Sequence, residues 1–238
     1  MFIPLHDANS LRHIRRQYVT LGIIALNVLA WLATSLGGAD LTQAAALGLG
    51  FIPSVAHELA VLPPELDLVP VPLTYVTYAF LHADLVHLGG NMLFLWVFGD
   101  NVEDALGHLR FLFFYLACAV AGAAFHGMIE PESQAPLIGA SGAVAGVVAA
   151  YLILHPRVKL WVLAFARLPL RLPAYVVLAL WIGMQFFMFA FDRENQISWA
   201  AHVGGILAGA LLVVVLRRPG VALLDRGVGG GQRAGNGE

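Results

Sequence analysis

Ile138-Gly139-Ala140-Ser141-Gly142-Ala143-Val144-Ala145-Gly146 opens an apolar run, and its one serine stands at the front edge. Sixty-one residues after Ser141, Ala201-His202-Val203-Gly204-Gly205 places an imidazole near the front of another apolar run. Polar groups withdrawn from water are costly, so such positions carry function or line a cavity. Gly142 and Gly146 form a small-xxx-small pair, and Gly205 and Gly209 form a second, the pattern that lets helix backbones approach closely in lipid. His202, Gly205 and Gly209 fall at i, i+3 and i+7, one stripe of a helix, so the imidazole points along the close-packing face. Two apolar helices that meet glycine to glycine would bring Ser141 and His202 within hydrogen-bond reach.

The composition agrees with helices in lipid. Of 238 residues, 59% are hydrophobic and 12% charged, and the mean hydropathy is +0.78. Soluble domains sit near half apolar and a quarter charged. Runs able to cross about 30 Å of hydrocarbon are read at 19–37, 84–99, 110–129, 141–155, 172–191 and 197–216. The second and fourth are short and need helices around them or a thinned bilayer. The expected fold is therefore all-α, a polytopic six-helix bundle. A polar lead (1–18) precedes the membrane domain (19–218), and a glycine-rich tail (219–238) expected to be disordered follows it. The apolar run at 19–37 is too long for the core of a cleaved signal peptide and is read as a retained helix.

Charge placement gives the orientation. Arg12, Arg15, Arg16, Arg110, Arg157, Lys159, Arg167, Arg171, Arg217, Arg218, Arg226 and Arg233 share one side, and only Arg193 falls on the other. The positive-inside rule then puts both termini in the cytoplasm, which requires an even number of crossings. Residues 38–83 hold five prolines and many apolar side chains without Lys or Arg, the pattern of a structured element at the interface. Cys118, alone among aliphatic neighbours, reads as packing.

With the amino terminus inside, spans two, four and six begin at the outer surface. His87, Ser141 and His202 then all lie within the outer third of the membrane. His87 and Asn91 stand at i and i+4 and share a face. Amide hydrolysis passes through an anionic tetrahedral intermediate, and the Asn91 amide with the Ser141 backbone N–H are suitable donors to it. A nucleophile, a base and oxyanion donors at one depth describe a serine protease working inside a membrane. No carboxylate is placed as a third triad member, so a Ser–His dyad is expected.

These residues resemble the rhomboid intramembrane serine proteases. The resemblance rests on Ile3-Pro4-Leu5, Phe80-Leu81-His82, His87-Leu88-Gly89-Gly90-Asn91-Met92-Leu93-Phe94, Gly99-Asp100-Asn101-Val102-Glu103, Gly139-Ala140-Ser141-Gly142 and Ala201-His202-Val203-Gly204-Gly205. It implies a six-helix bundle with Ser141 as nucleophile, His202 as general base, and His87 and Asn91 lining the oxyanion site. It implies close helix packing at Gly139, Gly142, Gly146, Gly205 and Gly209. It also implies substrates that are themselves membrane-spanning helices in the bilayer, with no cofactor, metal or nucleic acid. A bacterial plasma membrane is the expected location. Two departures stand out: Ala145 occupies the place where some members stack an aromatic ring on the catalytic His, and the Trp-Arg pair of some first loops is absent.

Three other readings compete. A metalloprotease built on His82, His87 and His202 meets the difficulty that His82 and His87 are about 140° apart on a helix, with no H-E-x-x-H present. A transporter would want an interior acidic residue, and none lies within the six spans as drawn. An inactive relative that binds transmembrane helices is the alternative function. Span five, with Trp181, Met184, Phe186, Phe187, Phe189 and Phe191, is the expected entry side for a substrate helix.

Overall fold

The computed structural model describes residues 2–165, 167–192 and 197–225. Arg193, Glu194, Arg226, Arg233 and the tail beyond Asp225 lie outside the described residues. Apolar sequence becomes helix along most of the chain: α1 (Tyr18–Leu36), α2 (Gly38–Leu49), α3 (Pro53–Ala56), α4 (Val71–Thr77), α5 (Leu85–Leu106), α6 (His108–Ile129), α7 (Ser141–Leu154), α8 (Ala174–Phe191) and α9 (Trp199–Leu216). This is an all-α polytopic membrane protein. Four helices, α1, α6, α8 and α9, are each long and apolar enough to cross a bilayer, and α4 with α5 passes as a pair bent by 86°. The 14 residues of α7 reach only about 21 Å. That helix is buried from Gly142 to Tyr151 within a cage of α5, α6, α8 and α9, which is how so short a segment sits at membrane depth.

Glycine sets the spacing inside the cage. A Cβ added to Gly205 would fall on the Gly142 carbonyl oxygen, and one added to Gly209 would fall on the backbone of Gly146. The matched order of the two pairs makes α7 and α9 parallel. Phe98 and Tyr151 meet with ring centroids 4.9 Å apart while His87 lies against Gly139, so α5 runs the same way. The starts of α7 and α9 and the first turn of α5 thus gather at one end of the molecule. Gly205→Ala is expected to lower stability by about 1–3 kcal/mol or more, the range for overpacking a filled core. Gly22→Ala, on an open face of α1, should be tolerated. Thermal unfolding in detergent measures both, and equal midpoints would refute the close contact.

The opposite end holds a feature the sequence reading lacked. Strands β1 (Phe2–Asp7), β2 (Lys159–Ala164) and β3 (Leu168–Pro173) form an antiparallel sheet in that order. The polar lead and the basic loop between spans four and five are therefore paired strands rather than solvated connections. Pro4, Pro169 and Pro173 sit on the two edge strands, where a missing N–H costs least, and the central β2 has none.

Span two also ends later than the drawn 84–99. The acidic residues Asp100, Glu103 and Asp104 lie inside α5, and Glu103 is wholly buried, correcting the expectation that no span holds an interior carboxylate. Their partners explain the helix. Glu103 accepts from the Val19 and Thr20 backbone N–H groups and from the Thr20 hydroxyl, capping the start of α1, whose own N-cap side chain contributes nothing. Asp104 accepts from the backbone N–H groups of Arg12, His13 and Ile14. Glu103 thus holds the start of α1, and Asp104 holds the lead, against the bundle.

The first residues of the expected disordered tail are also fixed. Leu224 and Asp225 donate backbone N–H groups to the carbonyls of Ile153 and Leu154, and Arg12 pairs with Asp225 at 2.9 Å. The last four carbonyls of a helix lack intrahelical donors, and here the tail supplies two. His155 is buried behind this contact, in a pocket it shares with Arg12, Asp104 and Asp225.

Candidate active site

Ser141 is the first residue of α7, preceded by a turn that only glycine suits. Gly139 has φ +121°, and a Cβ there would lie 2.6 Å from the His87 ring nitrogen Nε2. Conformation and crowding both require its bare Cα. The Gly139 N–H donates to the Tyr78 carbonyl at 2.9 Å, and Phe51 and Leu137 exchange two backbone bonds, so the 38–80 segment braces the approach to Ser141. No side chain caps the start of α7, so its first N–H groups remain available to an oxyanion.

His87 comes from the first turn of α5, whose Asp84 side chain accepts the His87 backbone N–H at 2.8 Å. One turn further, Asn91 is buried and its amide Nδ2 donates to the His87 carbonyl at 3.1 Å. His82 enters from a side the sequence missed. The spacing argument treated it as lying on one helix with His87, but the chain bends between α4 and α5, and the two rings meet edge to face with centroids 4.9 Å apart. Nε2 of His82 accepts from the Ala140 N–H at 3.4 Å. Among the described residues, no group of three or more His, Cys, Asp or Glu is arranged to hold a metal ion.

His202 lies one turn inside α9, where the Ala201 carbonyl would sit 3.1 Å from a Cβ on Gly142. The glycine contact therefore places the residue after Ser141 against the residue before His202. Among the described residues no hydrogen bond joins the Ser141 hydroxyl to the imidazole, a contact often loose before substrate binds. Two contacts orient the His202 ring: Nδ1 is 2.8 Å from Gln185 Oε1, and the Trp199 ring stands perpendicular at 5.6 Å. Ala145 is fully buried against Ala149 and Ile206 and offers the imidazole no ring to stack on. Gln185 escaped the sequence reading. Its signal was present, as the one amide in the apolar run of span five.

A Rhomboid domain model matches residues 71–219, more than half of the chain, a stretch that includes His82, His87, Asn91, Ser141, Gln185 and His202. The chain belongs to the rhomboid family. It is similar to Rhomboid protein 1, mitochondrial, of Saccharomyces cerevisiae, 32% identical over 149 residues, covering 61% of this chain and 42% of that protein. Rhomboid-related protein 3 of Homo sapiens is 31% identical over 161 residues, 64% of this chain and 38% of its own. Rhomboid protease GluP of Bacillus subtilis is 31% identical over 144 residues, 60% of this chain and 26% of its own. The chain spans less than half the length of each of these relatives. The chain is a multi-pass integral membrane protein with the rhomboid fold. The expected bacterial plasma membrane gains no support, since the yeast relative's name places that protein in mitochondria.

Proposed function

We propose that this chain is an intramembrane serine endopeptidase that cuts membrane-protein substrates in or near their transmembrane helices. The observation that carries the reading is the parallel α7–α9 contact, which sets the start of one helix, with its free hydroxyl, against the start of the other, with its imidazole. His202 takes the Ser141 proton as the oxygen attacks the scissile carbonyl. The oxyanion is met by the Ser141 N–H, by Asn91 and by His87. The leaving amine is then reprotonated by His202, and water repeats the sequence on the acyl-enzyme.

The end that holds Ser141 faces away from the end that gathers the lead, the basic strands and the tail. The charge distribution supports that second end as cytoplasmic, so cleavage occurs toward the outer face. The exposed Met184, Phe186, Phe187 and Phe191 of α8 form the surface along which a substrate helix enters. A fluorophosphonate probe is expected to label the purified protein at Ser141 and to spare the Ser141→Ala variant, as read by peptide mass spectrometry. Labelling elsewhere, or none, would favour the alternative of an inactive helix-binding relative.

A further inference from the structure

We propose that Gln185 is the positioning residue that fixes the tautomer of His202 and thereby aims its basic nitrogen at Ser141. The inference rests on the serine-protease reading and adds to it the group that replaces a stacked aromatic ring. Gln185 is 1% exposed, and it is the one buried residue in the second half of α8, whose other buried residues are Ala174, Val177 and Leu178. A primary amide removed from water is stable only with both of its ends bonded. Both are: Nε2 donates to the Trp181 carbonyl at 3.1 Å, and Oε1 faces His202 Nδ1 at 2.8 Å.

The two contacts together set the protons. A backbone carbonyl can only accept, so the NH₂ end of the amide belongs toward Trp181 and the oxygen toward the imidazole. An oxygen acceptor at 2.8 Å calls for a proton on Nδ1, which leaves the lone pair of the neutral ring on Nε2. Nε2 is the nitrogen free to take a proton from the Ser141 hydroxyl. The second neighbour of the ring leads back to the same helix. Trp199 packs perpendicular to His202, and its indole N–H donates to Asp192, the capping residue just after α8, at 2.6 Å. Both supports of the imidazole therefore depend on how α8 is seated, so a helix that yields to substrate also releases the base until it returns.

A cross-helix bond with no part in catalysis would move stability and leave the proton location alone. Two variants and one spectrum separate the cases. Gln185→Met keeps the length and loses the acceptor, while Gln185→Glu keeps an acceptor at the same place. Gln185→Met is expected to lower kcat roughly 10- to 100-fold, short of the about 10⁴ seen when a triad histidine is held in the wrong tautomer. KM should stay near wild type, the unfolding midpoint should fall only by the modest amount that any lost cross-helix bond costs, the labelling rate of Ser141 should fall in parallel with kcat, and Gln185→Glu should recover most of the loss in kcat. In the unaltered protein, ¹⁵N shifts of labelled histidine should show His202 protonated at Nδ1. Wild-type turnover in Gln185→Met, equal losses in the Met and Glu variants, or a His202 proton on Nε2 would each overturn the assignment. The tautomer is read without substrate, so its outcome is distinct from that of the serine mechanism, which fails only if Ser141→Ala still cleaves.

Discussion

Ser141→Ala is expected to abolish cleavage of a transmembrane substrate and to leave the fold unchanged. The two halves of that expectation come from different observations. Loss of the fold would require the hydroxyl to hold something, and among the described residues it accepts and donates no hydrogen bond. Its Cβ stays in alanine, so no cavity opens next to Gly142, where the packing is tightest. Removing an unbonded, half-buried hydroxyl changes stability by well under about 1 kcal/mol. Loss of activity follows from the reaction path, because without Oγ there is no acyl-enzyme. In a soluble serine protease the nucleophile alone is worth about 10⁶ in kcat. The measurement is turnover of a model single-span substrate in detergent and in liposomes, with unfolding followed on the same preparation. Turnover near wild type would remove the serine mechanism, while an unfolded variant would show that the hydroxyl has a structural partner.

Much of this site is legible in the chain because it depends on short-range pattern. Small residues at i and i+4 mark the contact faces of α7 and α9, and the position of His202 on its stripe follows from helical geometry alone. What was not legible depends on partners distant in sequence. Asp100, Glu103 and Asp104 look like the end of a membrane helix, since isolated carboxylates do not continue one. The helix continues because segments more than eighty residues away bring backbone N–H groups to it, the start of α1 to Glu103 and the lead to Asp104. The strand β2 did carry a local signal, with Leu160, Val162 and Ala164 buried in alternation along Lys159–Ala164. It was hidden by the Arg-rich setting, which reads as a cytoplasmic loop, and by the prolines of the strands that flank it. The link from Gln185 to His202 belongs with the distant partners, since no local rule pairs an amide on α8 with a ring on α9.

Asn91→Ala separates catalysis from architecture most sharply, because its neighbours make the two outcomes differ. The alternative to an oxyanion donor is a cross-helix bond. The amide instead donates to the His87 carbonyl of its own helix, at 3.1 Å, and among the described residues it makes no bond to another element. An i−4 bond of that kind duplicates a carbonyl already served by the helix ladder, so its loss costs little. Among the described residues, the amide's second N–H is uncommitted. Asn91 lies one turn from His87, and the His87 ring lies against Gly139, two residues from the nucleophile. If that N–H meets the developing oxyanion, kcat should fall roughly 10²- to 10³-fold, the range for losing one such donor, with KM little changed. A structural bond between membrane helices would instead appear as about 0.6–2 kcal/mol of lost stability. Single-turnover rates and the unfolding midpoint of the same purified variant decide between them. A lowered midpoint with intact turnover would take Asn91 out of the site and leave the Ser141 and His87 groups as the donors.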